Sequence, residues 1–254
     1  MKKLLMVTAV IITLVISSVP AFAAEPVQIP GTEVNAYTLY SRAMKKAEDA
    51  TSIMNSGIIR MRMSFDGETI DTRSTYTQKT LVTDEGEIQM SMVQDTEFGD
   101  IKSYFRDGWL FVDTGEAKTR TRTNILDLQS NDLPEEGFPK ELFKDAVVED
   151  VEGGKRIKLN LSKDMVTEWV GEGAAAGLAA TGVSNADLKF SSMIFYMTIG
   201  DDGMLKSYQM LYNMSMKIEG IKVLTSTNTT INFDSFNSFD KIDFPRDLSS
   251  YERV

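Results

Sequence analysis

The residue types that usually carry catalysis are scarce in this chain of 254 residues, which has no histidine and no cysteine. That removes most nucleophile–base pairs and nearly all zinc or iron ligand sets at once. Carboxylates are numerous, yet many stand in turn positions, among them Asp66, Asp84-Glu85, Asp107 and Asp201-Asp202. Such positions suit turn formation and solvation better than acid–base work. Glu149-Asp150 and Asp201-Asp202-Gly203 could touch Ca²⁺, but neither has the ligand spacing of a calcium loop. Asn160, Asn213 and Asn228 head Asn-x-Ser/Thr triplets on segments that read as strands, where a glycosylation site has no place. The expectation is a non-catalytic protein with no cofactor.

Methionine is the informative residue. Met61, Met63, Met90, Met92, Met193, Met197, Met210, Met214 and Met216 all fall on the apolar parity of predicted strands. An unbranched thioether fills irregular gaps and adapts to partners of varied shape. One reading makes the row an ordinary core face under a helix. Another makes it a compliant apolar cavity able to hold an acyl chain. A third reading uses the pairs Met61-x-Met63, Met90-x-Met92 and Met214-x-Met216 as soft ligands for Cu(I), although no His or Cys completes such a site.

The elements that must position these side chains follow from periodicity. Tyr208, Met210, Tyr212, Met214, Met216 and Ile218 alternate with largely polar residues, which puts one apolar row on one face of a long strand. Ile221 to Phe233 runs back with Val223, Thr225, Thr227, Thr229, Ile231 and Phe233 on one parity, so the two form a hairpin. Upstream, Glu33 to Asn55 has apolar residues at three- and four-residue spacings and reads as an amphipathic helix stopped by Gly57. Strands follow over Ile58–Phe65, Glu68–Thr83, Ile88–Met92, Ile101–Arg106, Trp109–Asp113 and Glu116–Thr123, several joined by Asp-Gly or Glu-Gly turns. Lys140 to Lys144 and Asp164 to Gly171 read as short helices, and Gly171 to Asn185 as a Gly/Ala-rich loop. Val147–Val151, Arg156–Leu161 and Leu188–Ile199 complete the strands, and Ile242-Asp243-Phe244-Pro245 is the last extended piece of a tail. The fold class is α+β: a single strongly curved antiparallel sheet, a half-barrel of about 10–11 strands, with the long N-terminal helix and short helices on its concave side.

A helix of about 23 residues covers a strip some 10 Å wide, whereas rows on five or more strands span roughly twice that. Part of the apolar row is left for other helices, a partner or a ligand. The chain opens with Lys2-Lys3, an apolar run from Leu4 to Ile16, and Ala21-Phe22-Ala23, the pattern of a secretory signal peptide over residues 1–23. The expectation is a secreted, extracytoplasmic protein with a single domain over 24–254 and no transmembrane segment. Without Lys2 and Lys3, 25 basic residues face 37 acidic ones, a balance that argues against nucleic acid as a partner.

This order of elements resembles the LolA/LppX-like lipoprotein-carrier fold, and uncharacterised Met-rich exported proteins of Gram-positive bacteria. The resemblance is carried by the helix Ala36 to Asn55 leading into Gly57-Ile58-Ile59-Arg60-Met61-Arg62-Met63, the hairpin Tyr104-Phe105-Arg106-Asp107-Gly108-Trp109-Leu110-Phe111, and Ile242-Asp243-Phe244-Pro245. It implies a cavity for a hydrophobic ligand, a lipid or lipoprotein acyl chain, between sheet and helices. The candidate lining is Met61, Met63, Phe65, Met90, Met92, Phe195, Met197, Tyr208, Met210, Tyr212, Met214 and Met216. The competing class is an envelope sensor or structural module that meets a protein partner and holds no ligand. The chain departs from many lipid-anchored relatives in having no cysteine to lipidate.

Overall fold

The computed structural model describes residues 35–97, 99–123, 138, 140–167, 188–218 and 221–253. Helix α1 (Ala36–Glu48) is capped by Asn35, whose Oδ1 accepts from Thr38 N at 2.8 Å, and carries Lys45 and Lys46 at its negative end. It stops seven residues before the expected Asn55 because residues 52–55 find a partner strand on each side: Ser52–Asn55 face Leu81–Gln78, and Ile53–Asn55 face Phe236–Phe233. A sheet ladder on both flanks satisfies the backbone as fully as a last helical turn would. Gly57, expected to end the helix, instead lies within a strand where a Cβ would overlap the Tyr76 ring.

The strands are β1 (Ser52–Phe65), β2 (Glu68–Val82), β3 (Ile88–Thr96), β4 (Gly99–Arg106), β5 (Trp109–Asp113), β6 (Lys118–Arg122), β7 (Val147–Val151), β8 (Gly154–Leu161), β9 (Lys189–Gly200), β10 (Leu205–Ile218), β11 (Ile221–Phe236) and β12 (Glu252–Arg253). They form one open, curved sheet in the order β12-β6-β5-β4-β3-β2-β1-β11-β10-β9-β8-β7. Every pairing is antiparallel except β12 with β6, which is parallel. Two meanders, β1–β6 and β7–β11, meet only at the β1–β11 seam. Asp66-Gly67 and Asp107-Gly108 have positive φ at both turn residues, the backbone that tight two-residue hairpins require.

The α1 face of the sheet holds the core. Tyr40, Ala43 and Met44 of α1 pack in one cluster with Ile157 and Leu159 of β8, Met193, Phe195 and Met197 of β9, Tyr208 and Met214 of β10, and Ile59, Met61 and Met63 of β1. Lys140–Phe143 forms a 3-10 turn that brings Phe143 against Tyr37 and Tyr40, with centroids 5.4 and 4.9 Å apart. A helical turn occupies 163–167; the rest of the helix expected there, the loop expected over 171–185 and the leader expected at 1–23 lie outside the described residues.

The C-terminal tail does more than end the chain. It crosses the outer face of β2–β6, placing Phe239 beneath Lys79, Phe244 against Tyr104 and Arg106, and Tyr251 edge-on to Phe111 at 5.5 Å. Lys118 ties this strap down through Asp247 at 2.6 Å. Residues 242–245 join no ladder, and the twelfth strand, absent from the sequence reading, is Glu252–Arg253 beside β6.

Candidate functional site

Strand alternation sends the expected residues to the inner face, the face that carries α1. Met61, Met63, Met90, Met92, Phe195, Met197, Tyr208, Tyr212, Met214 and Met216 are buried there, and Phe65 and Met210 are half-buried against the same core. Asn213 and Lys217, on the alternate parity, are exposed. Met90 stands apart from the others, packed with Phe105, Ile88 and Leu110 in a second small cluster. The registers bring the rest together: Met61, Thr227 and Tyr212 lie side by side across β1, β11 and β10, as do Met63, Thr225 and Met214.

Those same registers keep the Met-x-Met pairs apart. Met63 and Met214 have β11 between them, so their backbones stand two strand spacings apart, about 9.6 Å. This geometry does not gather them into one soft-metal ligand set.

The sequence sets Thr225, Thr227 and Thr229 on one parity, yet they are not among the expected lining residues. Thr225, Thr227 and Thr229 of β11 are 2%, 3% and 0% exposed, and among the described residues no hydrogen-bond partner meets any of the three hydroxyls. Successive residues on one strand face are about 6.7 Å apart, so the three hydroxyls form a lane about 13 Å long. Asn55 Oδ1 and Gln78 Oε1, on cross-strand partners of β1 and β2, are likewise buried and without a partner among the described residues. The signal was present as three threonines on the parity of Val223 and Ile231, where a pure core strand would carry Val or Ile.

Among the described residues, no Asp, Glu, Lys or Arg is buried. Tyr208 donates its hydroxyl to Met44 Sδ at 3.0 Å, and Tyr40 Oη accepts from Phe138 N at 2.8 Å. Burial pushes both phenols well above their ordinary titration range, so both stay neutral. Among the described residues, no group of three or more carboxylates is placed to hold a metal. What the face can do chemically is surround an apolar chain and offer neutral hydrogen bonds along one line.

No family model matches the chain, and neither does any curated protein. Several solved structures resemble it. A DUF1329 family protein from Desulfovibrio piger is 9% identical over 78% of this chain and 92% of its own, with a TM-score of 0.30. A LolA superfamily protein from Nitrosomonas europaea is 10% identical over 85% of this chain and 97% of its own, with a TM-score of 0.23. The YwiB protein from Bacillus subtilis is 8% identical over 73% and 94%, also with a TM-score of 0.23. The architecture expected from the sequence, a curved antiparallel sheet with an N-terminal helix on one face, is the one the chain adopts.

Proposed function

We propose that this chain is an exported, non-catalytic binding protein that holds a lipid or acyl chain against the inner face of its sheet. The observation that carries the reading is the lane of Thr225, Thr227 and Thr229, buried and, among the described residues, without internal partners amid Met61, Met63, Tyr212 and Met214. Each unsatisfied buried hydroxyl costs about 1–3 kcal/mol, and a face serving only as core would be more stable with valine at all three places. An amphiphile removes the penalty: its chain lies along the thioethers, and its ester, amide or hydroxyl groups meet the threonines. The absence of buried charge favours a neutral contacting segment.

A second reading, a sensor or structural module whose inner face is filled by its own chain, has its own support. The expected lining residues are nearly all buried, and two clefts of the molecule include outward residues such as Arg60, Asn228 and Asn213 rather than opening on the inner face alone. Native mass spectrometry of protein purified without detergent separates the two. Bound lipid, or uptake of a fluorescent fatty acid, is the expected result; a clean apo mass with no uptake sinks the carrier reading.

A further inference from the structure

The outer face carries an arrangement that the inner-face reading does not use. On β1, Arg60 stands between Arg73 of β2 and Asn228 of β11, while Arg62 stands between Asp71 and Ser226 on the same two neighbours. These six side chains, with Glu97, line a cleft of about 480 Å³. Arg62 is engaged: its Nε and Nη2 donate to Asp71 at 2.7 and 3.1 Å. Arg60 and Arg73 are not; among the described residues neither has a carboxylate partner. Like charges directly opposite on neighbouring strands repel, with Cβ atoms about 5 Å apart, and destabilise the pair. In a chain with ten more acidic than basic residues, carboxylates that could relieve the repulsion are plentiful, yet the register sets Arg60 against Arg73 and Asn228.

We propose that the Arg60–Arg73 pair, with Asn228 beside it, is a binding site for a phosphate group. Two guanidiniums at this separation can each give a forked pair of N–H donors to one tetrahedral anion, a geometry that lysine cannot match. The anion turns the repulsion into mutual attraction, and the Asn228 side-chain amide supplies a further donor. The cleft lies where the outer face is clear of the C-terminal strap, which lies over β2–β6 through Lys79, Tyr104, Arg106 and Phe111.

The phosphate could belong to a soluble compound or to a phospholipid headgroup. An adjoining cleft of about 420 Å³ shares Arg62 and Ser226 and is lined further along by Leu224, an apolar side chain 47% exposed. An apolar neighbour of that kind would accommodate the glycerol and first methylenes of a lipid.

The test uses two probes on the full chain: inorganic phosphate followed by calorimetry, and flotation with vesicles of phosphatidylglycerol or of phosphatidylcholine. Arg60→Gln with Arg73→Gln is the site variant, and Lys222→Gln, exposed on β11, is the control. We expect the double variant to lose at least tenfold in affinity for the bound probe, the control to bind as wild type, and added salt to weaken wild-type binding. Its thermal midpoint should equal or exceed that of wild type, because a repulsive pair has gone. Phosphate binding alone assigns the site to a soluble phosphate, and flotation with phosphatidylglycerol vesicles assigns it to a headgroup. Failure to bind either probe, or equal binding by the double variant, overturns the proposal whatever the inner face holds.

Discussion

Met214 is the residue at which the facing of the sheet is most directly tested, since its strand neighbour Asn213 is exposed. Met214→Asp places an unpaired carboxylate in an apolar face, so we expect a loss of about 3 kcal/mol or more in urea unfolding. Asn213→Asp, pointing to water, should change stability by about 0.5 kcal/mol or less. Equal effects would reverse the facing. Thr227 tests the polar lane. Thr227→Val removes a hydroxyl that has no partner among the described residues and keeps the shape, so the ligand-free protein should gain about 1 kcal/mol. The same change should weaken binding of an ester- or amide-bearing lipid relative to a plain fatty acid. A destabilised Thr227→Val protein would mean that the hydroxyl already has a partner. The methionine row was legible in the sequence because alternation fixes the face of every strand residue. The threonine lane was not singled out, because hydroxyls on a β-branched side chain are ordinary in strands until burial shows that nothing answers them.

At the scale of elements, local signals were legible and long-range ones were not. The Asp66-Gly67 turn sets Phe65 opposite Glu68, and counting back from there puts Arg60 opposite Arg73. That pairing was available in the sequence and went unread. The pairing of β1 with β11 has no connecting turn, and without it Ser52–Asn55 look helical and Gly57 looks like a stop signal. Gly57 instead makes room on the inner face for the ring of Tyr76, its direct partner on β2. Gly57→Ala is therefore expected to cost about 1–3 kcal/mol, although alanine suits a strand better than glycine does. In a Tyr76→Leu background the added methyl should cost distinctly less. A double-mutant cycle giving additive losses would show that the ring does not set the constraint.

At the scale of the molecule, one sheet spans the described chain, with its inner face under α1 and part of its outer face under the C-terminal strap. The sequence indicated the first cover through helical periodicity. It gave no sign of the second, since residues 238–253 have no regular period and act through single side chains spaced along an irregular path. Tyr251 is 2% exposed and meets Phe111, which is 7% exposed. Tyr251→Ala should cost about 3 kcal/mol of stability, as expected of an aromatic lost from a core rather than from a trailing end. A change below about 0.5 kcal/mol in chemical denaturation would make the strap incidental. We further propose that the described chain unfolds as one unit, since no break interrupts the ladder from β12 to β7.

The seam between the two meanders has a consequence in time. Thr51 and Asn237, which bond at 2.8 Å where β1 and β11 meet, are 186 residues apart in the chain. During synthesis β1 emerges early and can pair with β2, while its other edge waits for almost the whole remaining sequence. For that interval a 14-residue strand presents a free row of backbone donors and acceptors, which invites pairing with another nascent copy. Arg60 and Arg62 lie on that waiting strand. Charge on such an edge discourages a second copy from docking before β11 arrives, so Arg60, which faces Arg73 in the finished sheet, would also guard the unfinished edge.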